Sequence, residues 1–225
     1  MNTSPPISVL TTVYNNAGYV EASVRSILGQ TFKDFEYVIV DDGSTDGSVE
    51  ILKRLAEEDD RIRLQCHDHL GISKAANHGL AACRGKWVAR LDGDDLAWPD
   101  RIEKQLAFVE ANDLVCASGQ VDFIDQKDRF LITIPSPCDH EGIEEKMLRG
   151  HNTIWHSGCM FRRDAAEQIG GYSEDFDAAI DLDLCLRLGE IGRLGNSMDR
   201  VIQYRLHRKS VSAKRRQYQR DMARV

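Results

Sequence analysis

The chain has 225 residues, 42% of them hydrophobic and 29% charged, with a formal net charge of -7. Those figures fit one ordinary globular domain with room for a core, and the negative charge argues against a nucleic-acid binder. No stretch approaches a membrane span, no signal-peptide pattern opens the chain, and six cysteines without a Cys-x-x-Cys pair read as buried free thiols, so the cytoplasm is the expected location.

Ile7 to Thr12 reads as a first strand, followed by a polar loop, Val13 to Gly18. Val20, Val24, Ile27 and Leu28 then recur at helical spacing. Tyr37 to Val40 is a continuous apolar run of the kind found in a sheet covered on both faces. It stops at Asp41-Asp42-Gly43-Ser44-Thr45-Asp46-Gly47, and a second helix follows with Val49, Leu52, Leu55 and Ala56 on one face. Arg61 to Cys66 reads as a third strand, His67 to Gly71 as its loop, and Ile72, Ala76, Gly79, Leu80 and Cys83 as a third helix face. Trp87 to Leu91 is a fourth apolar strand, closed by Asp92-Gly93-Asp94-Asp95, and Pro99 suits the first turn of the helix beyond.

Strands alternating with helices in units of this size predict a parallel sheet with right-handed crossovers. Every strand then points the same way, so the loops after Thr12, Val40, Cys66 and Leu91 open on one edge, where open α/β sheets bind ligands. Asp92, Asp94 and Asp95 lie close together there and repel one another unless a positive charge sits among them. A hard divalent cation with oxygen ligands is the natural partner, and it usually brings phosphates. Neither Gly-x-Gly-x-x-Gly nor Gly-x-x-x-x-Gly-Lys follows the first strand, so a bound nucleotide would not be held by either loop type.

The second half is less regular. Leu114 to Gly119 reads as a strand, Val121 to Ile134 as a hairpin turning at Asp125 to Asp128, and Glu141 to Arg149 as a short helix. Ser157 to Phe161 reads as a strand, Arg163 to Ile169 as a helix stopped by Gly170-Gly171, and Leu182, Leu184, Leu188 and Ile191 support a helix from Asp181. Val201 to Arg205 is a late strand, and residues 208–225 form a basic tail. That tail suits a solvated helix face or a peripheral contact with the inner face of a membrane.

The runs Ile7 to Asn15, Val38 to Asp46 and Ala89 to Asp95 resemble family 2 glycosyltransferases of the GT-A fold. The resemblance continues through Gly71-Ile72-Ser73, Asn77 to Leu80, Met160 to Arg163, Gly170-Gly171-Tyr172, Asp181 to Leu184, and Tyr204 to His207, covering nearly the whole chain. It implies an α/β fold with a mostly parallel central sheet and helices on both faces, in a single domain. Residues 1–98 would bind the nucleotide sugar, 99–207 the acceptor. It implies that Thr12 and Tyr14 lie against base and ribose, that Asp42 hydrogen-bonds the base, and that Asn77 closes over the nucleoside. Asp92 falls near the ribose, Asp94 holds Mn2+ or Mg2+ on the diphosphate with Asp95 beside it, and Asp181 is the catalytic base. His156 falls in the acceptor pocket, and His207 is a further metal or diphosphate ligand. The implied activity is inverting, metal-dependent transfer of a sugar, UDP-linked by expectation, to a glycan, lipid-linked or other glycoconjugate acceptor of surface-polysaccharide type.

The residues leave alternatives open. Asp42 and Asp181 also suit helix caps, His156 suits a core and His207 a surface position. Ile180 stands where the family usually has Glu, which keeps a non-catalytic sugar-nucleotide-binding domain in view. A nucleotidyltransferase would show a basic loop after the first strand, and Thr12 to Gly18 has no basic residue. The Gln-x-x-Arg-Trp motif of processive synthases is not present, which favours transfer of single sugars.

Overall fold

The computed structural model describes residues 4–175, 179–207 and 210. The basic tail, apart from Ser210, lies outside the described residues. The first half is the expected alternation: β1 (Ile7–Val13), α1 (Val20–Leu28), β2 (Phe35–Asp41), α2 (Ser48–Glu58), β3 (Ile62–Cys66), α3 (Ile72–Ala82) and β4 (Trp87–Arg90). β1 pairs with β2 and β4, and β2 with β3, all parallel. Val13 is level with Asp41, and Asp41 with Cys66, so three strands end together and their loops open at one edge.

Every residue of β2 is buried because both faces of the sheet are covered. Side chains alternate across a strand, so Val9, Tyr37 and Ile39 join Val24, Leu52 and Ile102 in one core layer. Leu10, Val38 and Val40 turn the other way and meet Ala76 and Leu80.

The second half completes one sheet. It comprises β5 (Leu96–Ala97), α4 (Arg101–Ala111), β6 (Leu114–Ile124), β7 (Phe130–Ile134), α5 (His140–Leu148), β8 (Met160–Arg162), α6 (Arg163–Gln168), α7 (Ile180–Gly189) and β9 (Arg193–Arg205). The strand order is β3-β2-β1-β4-β8-β6-β9-β5, and β7 pairs with β6 off that path, along Val121 to Ile124. β8 runs antiparallel to β4 and β6, so direction changes where the two halves meet.

Four details depart from the sequence reading. β6 is a single strand of 11 residues where a strand and a hairpin arm were expected. β9 begins at Arg193, eight residues before the apolar run, because pairing with β6 holds Gly195 and Asn196 in a strand against their propensity. Ile191 lies beyond α7 and is exposed, while Ile180, Leu184, Cys185 and Leu188 form its buried face. Pro99 precedes α4, whose N-cap is Asp100. Among the cysteines, Cys83, Cys116, Cys159 and Cys185 are buried as expected, whereas Cys66 and Cys138 are exposed.

Candidate active site

The aligned strand ends open onto a cleft of about 730 Å3. Thr12 and Tyr14 line it from the loop after β1, Asp42 from the loop after β2, and His69 to Ala75 from the loop after β3 and the start of α3. Asp92 and Asp94 line it after β4, and Asn152 to Ser157 together with Asp181 close the far side. Thr12 and Asp181, 169 positions apart, therefore line one cleft.

The pair Asp41 and Asp42 divides its work. Asp41 Oδ1 accepts the backbone N–H groups of Gly43 (3.1 Å) and Ser44 (2.9 Å) and so holds the turn, while α2 begins at Ser48 with Gly47 as its N-cap. Asp42 faces the cleft, where Oδ1 accepts Leu70 N–H (2.7 Å) and Oδ2 accepts Gly71 N–H (3.1 Å). His69 Nδ1 lies 2.9 Å from Asp42 Oδ2, and the His69 ring stacks on Tyr14 with centroids 4.2 Å apart. Gly43 permits this approach: its φ is +79°, and a Cβ there would meet the backbone of His69 at 2.7 Å. A carboxylate has about four acceptor positions, so Asp42 keeps one for a ligand. His69 was missed in the sequence, although an aromatic residue in a loop opening on the ligand edge was a usable signal.

Arg90 was also missed, and it organises the acidic loop. It is 1% exposed, and its Nη2 donates to Thr12 Oγ1 and to Asp92 Oδ1, each at 3.2 Å. The signal was a lone charge in an otherwise apolar strand, a placement that demands a partner. Arg101, equally buried, donates to the carbonyls of Arg90 (2.7 Å), Ser157 (3.2 Å) and Cys159 (3.2 Å) and to Gln105 Oε1 (2.8 Å). It ties the end of β4 to the opposite wall, and burial lowers its pKa to about 10.

Asp94 lines the cleft, and its Oδ2 lies 2.7 Å from His207 Nε2 at the end of β9. Among the described residues, no three His, Cys, Asp or Glu side chains gather as a cation site. The cleft-facing Asp94 carboxylate nonetheless fits a cation that takes its remaining ligands from phosphate and water, the usual habit of Mg2+, whereas His207 is buried behind Asp94 and does not line the cleft.

Two expected ligands are placed elsewhere. Asp95 is 1% exposed and does not line the cleft; its Oδ1 accepts the backbone N–H of Arg205 at 2.8 Å. Burial, then the charges of Asp94 and Asp92, pushes its carboxyl well above the usual range, and its bond to Arg205 joins the loop to β9. Asn77 does not line the cleft either. Its Nδ2 donates to Tyr172 O and its Oδ1 accepts Tyr172 N–H, both at 2.8 Å, which uses the amide to pin the segment after α6 onto α3.

Asp181 is the second residue of α7, and the N-cap is Ala179. Its Oδ2 accepts from Asn152 Nδ2 at 2.9 Å. Asp183, one turn face away, is tied to Arg187 and does not line the cleft. His156 lines the same cleft: Nε2 is 2.9 Å from Tyr172 Oη and Nδ1 is 3.8 Å from Asp92 Oδ1. Burial, then the Arg90 charge, holds its pKa below the ordinary histidine value.

Residues 8–170 match the family model described as glycosyl transferase family 2, and the chain belongs to that family. It is 33% identical over 208 residues to the O-antigen biosynthesis glycosyltransferase WbnJ of Escherichia coli, covering 91% of this chain and 81% of that protein. An uncharacterized glycosyltransferase of Haemophilus influenzae is 30% identical, with 95% of this chain and 69% of that one covered. Among solved structures, S. aureus TarS 1-349 in complex with UDP-GlcNAc superposes with a TM-score of 0.72 at 18% identity, covering 91% of this chain and 59% of that one. The mannosyltransferase PcManGT from Pyrobaculum calidifontis, in complex with GDP-Man and Mn2+, gives 0.69 at 22% identity, covering 89% and 57%. These likenesses establish the GT-A fold, and the chain spans about three fifths of those two solved chains. No described helix is long and apolar enough to cross a membrane.

Proposed function

We propose that this chain is an inverting glycosyltransferase that moves a sugar from a nucleoside-diphosphate donor, UDP-linked as first choice, to a hydroxyl of a glycan or lipid-linked acceptor. The observation that carries the reading is one cleft lined on one side by Asp92 and Asp94 and on the other by Asp181. The donor half would be residues 1–98 and the acceptor half 99–207, working in the cytoplasm.

In this reading Tyr14, His69 and Asp42 receive the nucleoside, Arg90 holds Asp92 and Thr12 in place, and Asp94, steadied by His207, would hold Mg2+ or Mn2+. Such a cation would supply stabilisation of charge on the departing diphosphate. The acceptor hydroxyl attacks the anomeric carbon from the face opposite the phosphate. Its proton passes to Asp181, and the carbon–oxygen bond to phosphate breaks with its electron pair leaving on the diphosphate. One displacement inverts the centre, and one base suffices. Incubation with a panel of UDP- and GDP-sugars and acceptors, followed by mass spectrometry and anomeric proton couplings, tests it. A product of retained configuration, or none with any donor that binds, would contradict it.

The base pocket gives a separate expectation. Uracil offers an imide N–H to the remaining acceptor position of Asp42, whereas cytosine presents an acceptor there. Asp42→Ala should weaken UDP more than CDP in calorimetric titrations. Equal losses would assign Asp42 only to holding Leu70 and Gly71.

A further inference from the structure

A second cavity, of about 440 Å3, adjoins the cleft and shares Asn152 and Trp155 with it. Three basic side chains line it, Lys146, Arg149 and His151, and no carboxylate does, in a chain whose net charge is -7. Lys146 lies in the last turn of α5, Arg149 is its C-cap and His151 follows, where Gly150 takes φ +82° and His151 N–H bonds back to Lys146 O at 3.0 Å. Glu145 pairs with Arg149 outside the cavity, but both side chains are exposed and such a pair is weak. Thr153 also lines the cavity; it is 9% exposed and its hydroxyl has no hydrogen-bond partner. Trp155 Nε1 donates to Ser136 Oγ, also in the lining, at 3.2 Å.

The cavity continues into an apolar edge. Ile134 lines it and ends β7, whose Phe130, Leu131 and Ile132 are exposed in succession. Leu148 is exposed on α5 just before Arg149. Basic groups beside an exposed apolar strand complement a molecule with an anionic head and a hydrocarbon chain. Asn152 holds Asp181 from the shared wall, so a head group in the cavity lies next to the proposed base.

We propose that this cavity binds the diphosphate of a lipid-linked acceptor, with the chain along β7 and the acceptor sugar reaching over Trp155 toward Asp181. This rests on the glycosyltransferase reading and names its acceptor class.

The test uses the full chain in EDTA, with geranyl diphosphate as the probe, geraniol and inorganic pyrophosphate as controls, and calorimetry plus backbone and indole N–H shifts as readouts. Geranyl diphosphate should bind more tightly than either control and shift the Trp155 indole and the amides of 146–153. Lys146→Ala with Arg149→Ala should weaken it at least about ten-fold, the scale expected for removing charge-assisted bonds. Pyrophosphate binding as tightly as geranyl diphosphate would replace the lipid with a free phosphate ligand and overturn the proposal. So would shifts confined to Asp92–Asp94 and His67–Gly71, or an absence of binding at millimolar concentration. A separate titration of the wild type with UDP and Mn2+ reports on the donor site. Its failure would strike the donor reading and leave the cavity result standing.

Discussion

Asp181→Asn should fold normally, bind UDP and Mn2+ as the wild type does, and lose transfer by about 10²-fold or more, equivalent to about 2.7 kcal/mol of barrier. The substitution keeps the shape of the side chain and can keep its contact with Asn152 through an amide flip. It removes only the ability to take a proton. Because the N-cap is Ala179, little helix stability is at stake at this position. Slow hydrolysis of the donor should survive better than transfer, since water needs less positioning than a sugar hydroxyl. Steady-state rates with any competent donor and acceptor, beside a melting curve, make the comparison. Transfer at the wild-type rate would move the base elsewhere. His156 would then be the first candidate, since it lines the same cleft and burial favours its neutral form.

Arg101→Met should lower the melting temperature by roughly 6–20 °C. The side chain is buried, and three backbone carbonyls and Gln105 depend on it. Methionine fills much of the volume but donates nothing, so those acceptors lose their partner in a site closed to water. Each such loss costs about 1–3 kcal/mol, partly relieved by relaxation, for a total of about 3–5 kcal/mol. For a domain of this size each kcal/mol moves the midpoint by about 2–4 °C. The carbonyls belong to Arg90, Ser157 and Cys159, which frame the acidic loop, so transfer should fall further than the melting curve alone explains. A midpoint within 2 °C of wild type, by the same size relation, would deny Arg101 this role.

The parts of the site that the sequence made legible are those carried by strand ends. Apolar runs ending in Asp42 and in Asp92-Gly93-Asp94 fix direction and edge together, because parallel strands ending level must open their loops together. Neighbouring acids could not be told apart by spacing. Asp41 and Asp42, or Asp94 and Asp95, differ in which way a turn aims them, and the partners that decide this come from distant residues such as Leu70 and Arg205. Asn77 failed for the same reason, since its partner Tyr172 lies 95 positions away. The long β9 was hidden because a strand between two others can be held by pairing despite glycine and asparagine. Ile180, in place of the usual Glu, is buried among the residues under α7 and lines the cleft beside Asp181 as an apolar neighbour.

The donor site and its cation are open to one direct measurement. UDP is titrated calorimetrically into the wild type in Mn2+, then in EDTA, with Asp94→Ala taken through both. A cation held by Asp94 against the diphosphate predicts that wild-type affinity falls by at least about ten-fold in EDTA, a change of about 1.4 kcal/mol. It also predicts that Asp94→Ala in Mn2+ behaves like the wild type in EDTA. Equal wild-type affinity with and without the metal would contradict a cation-bridged donor at this loop.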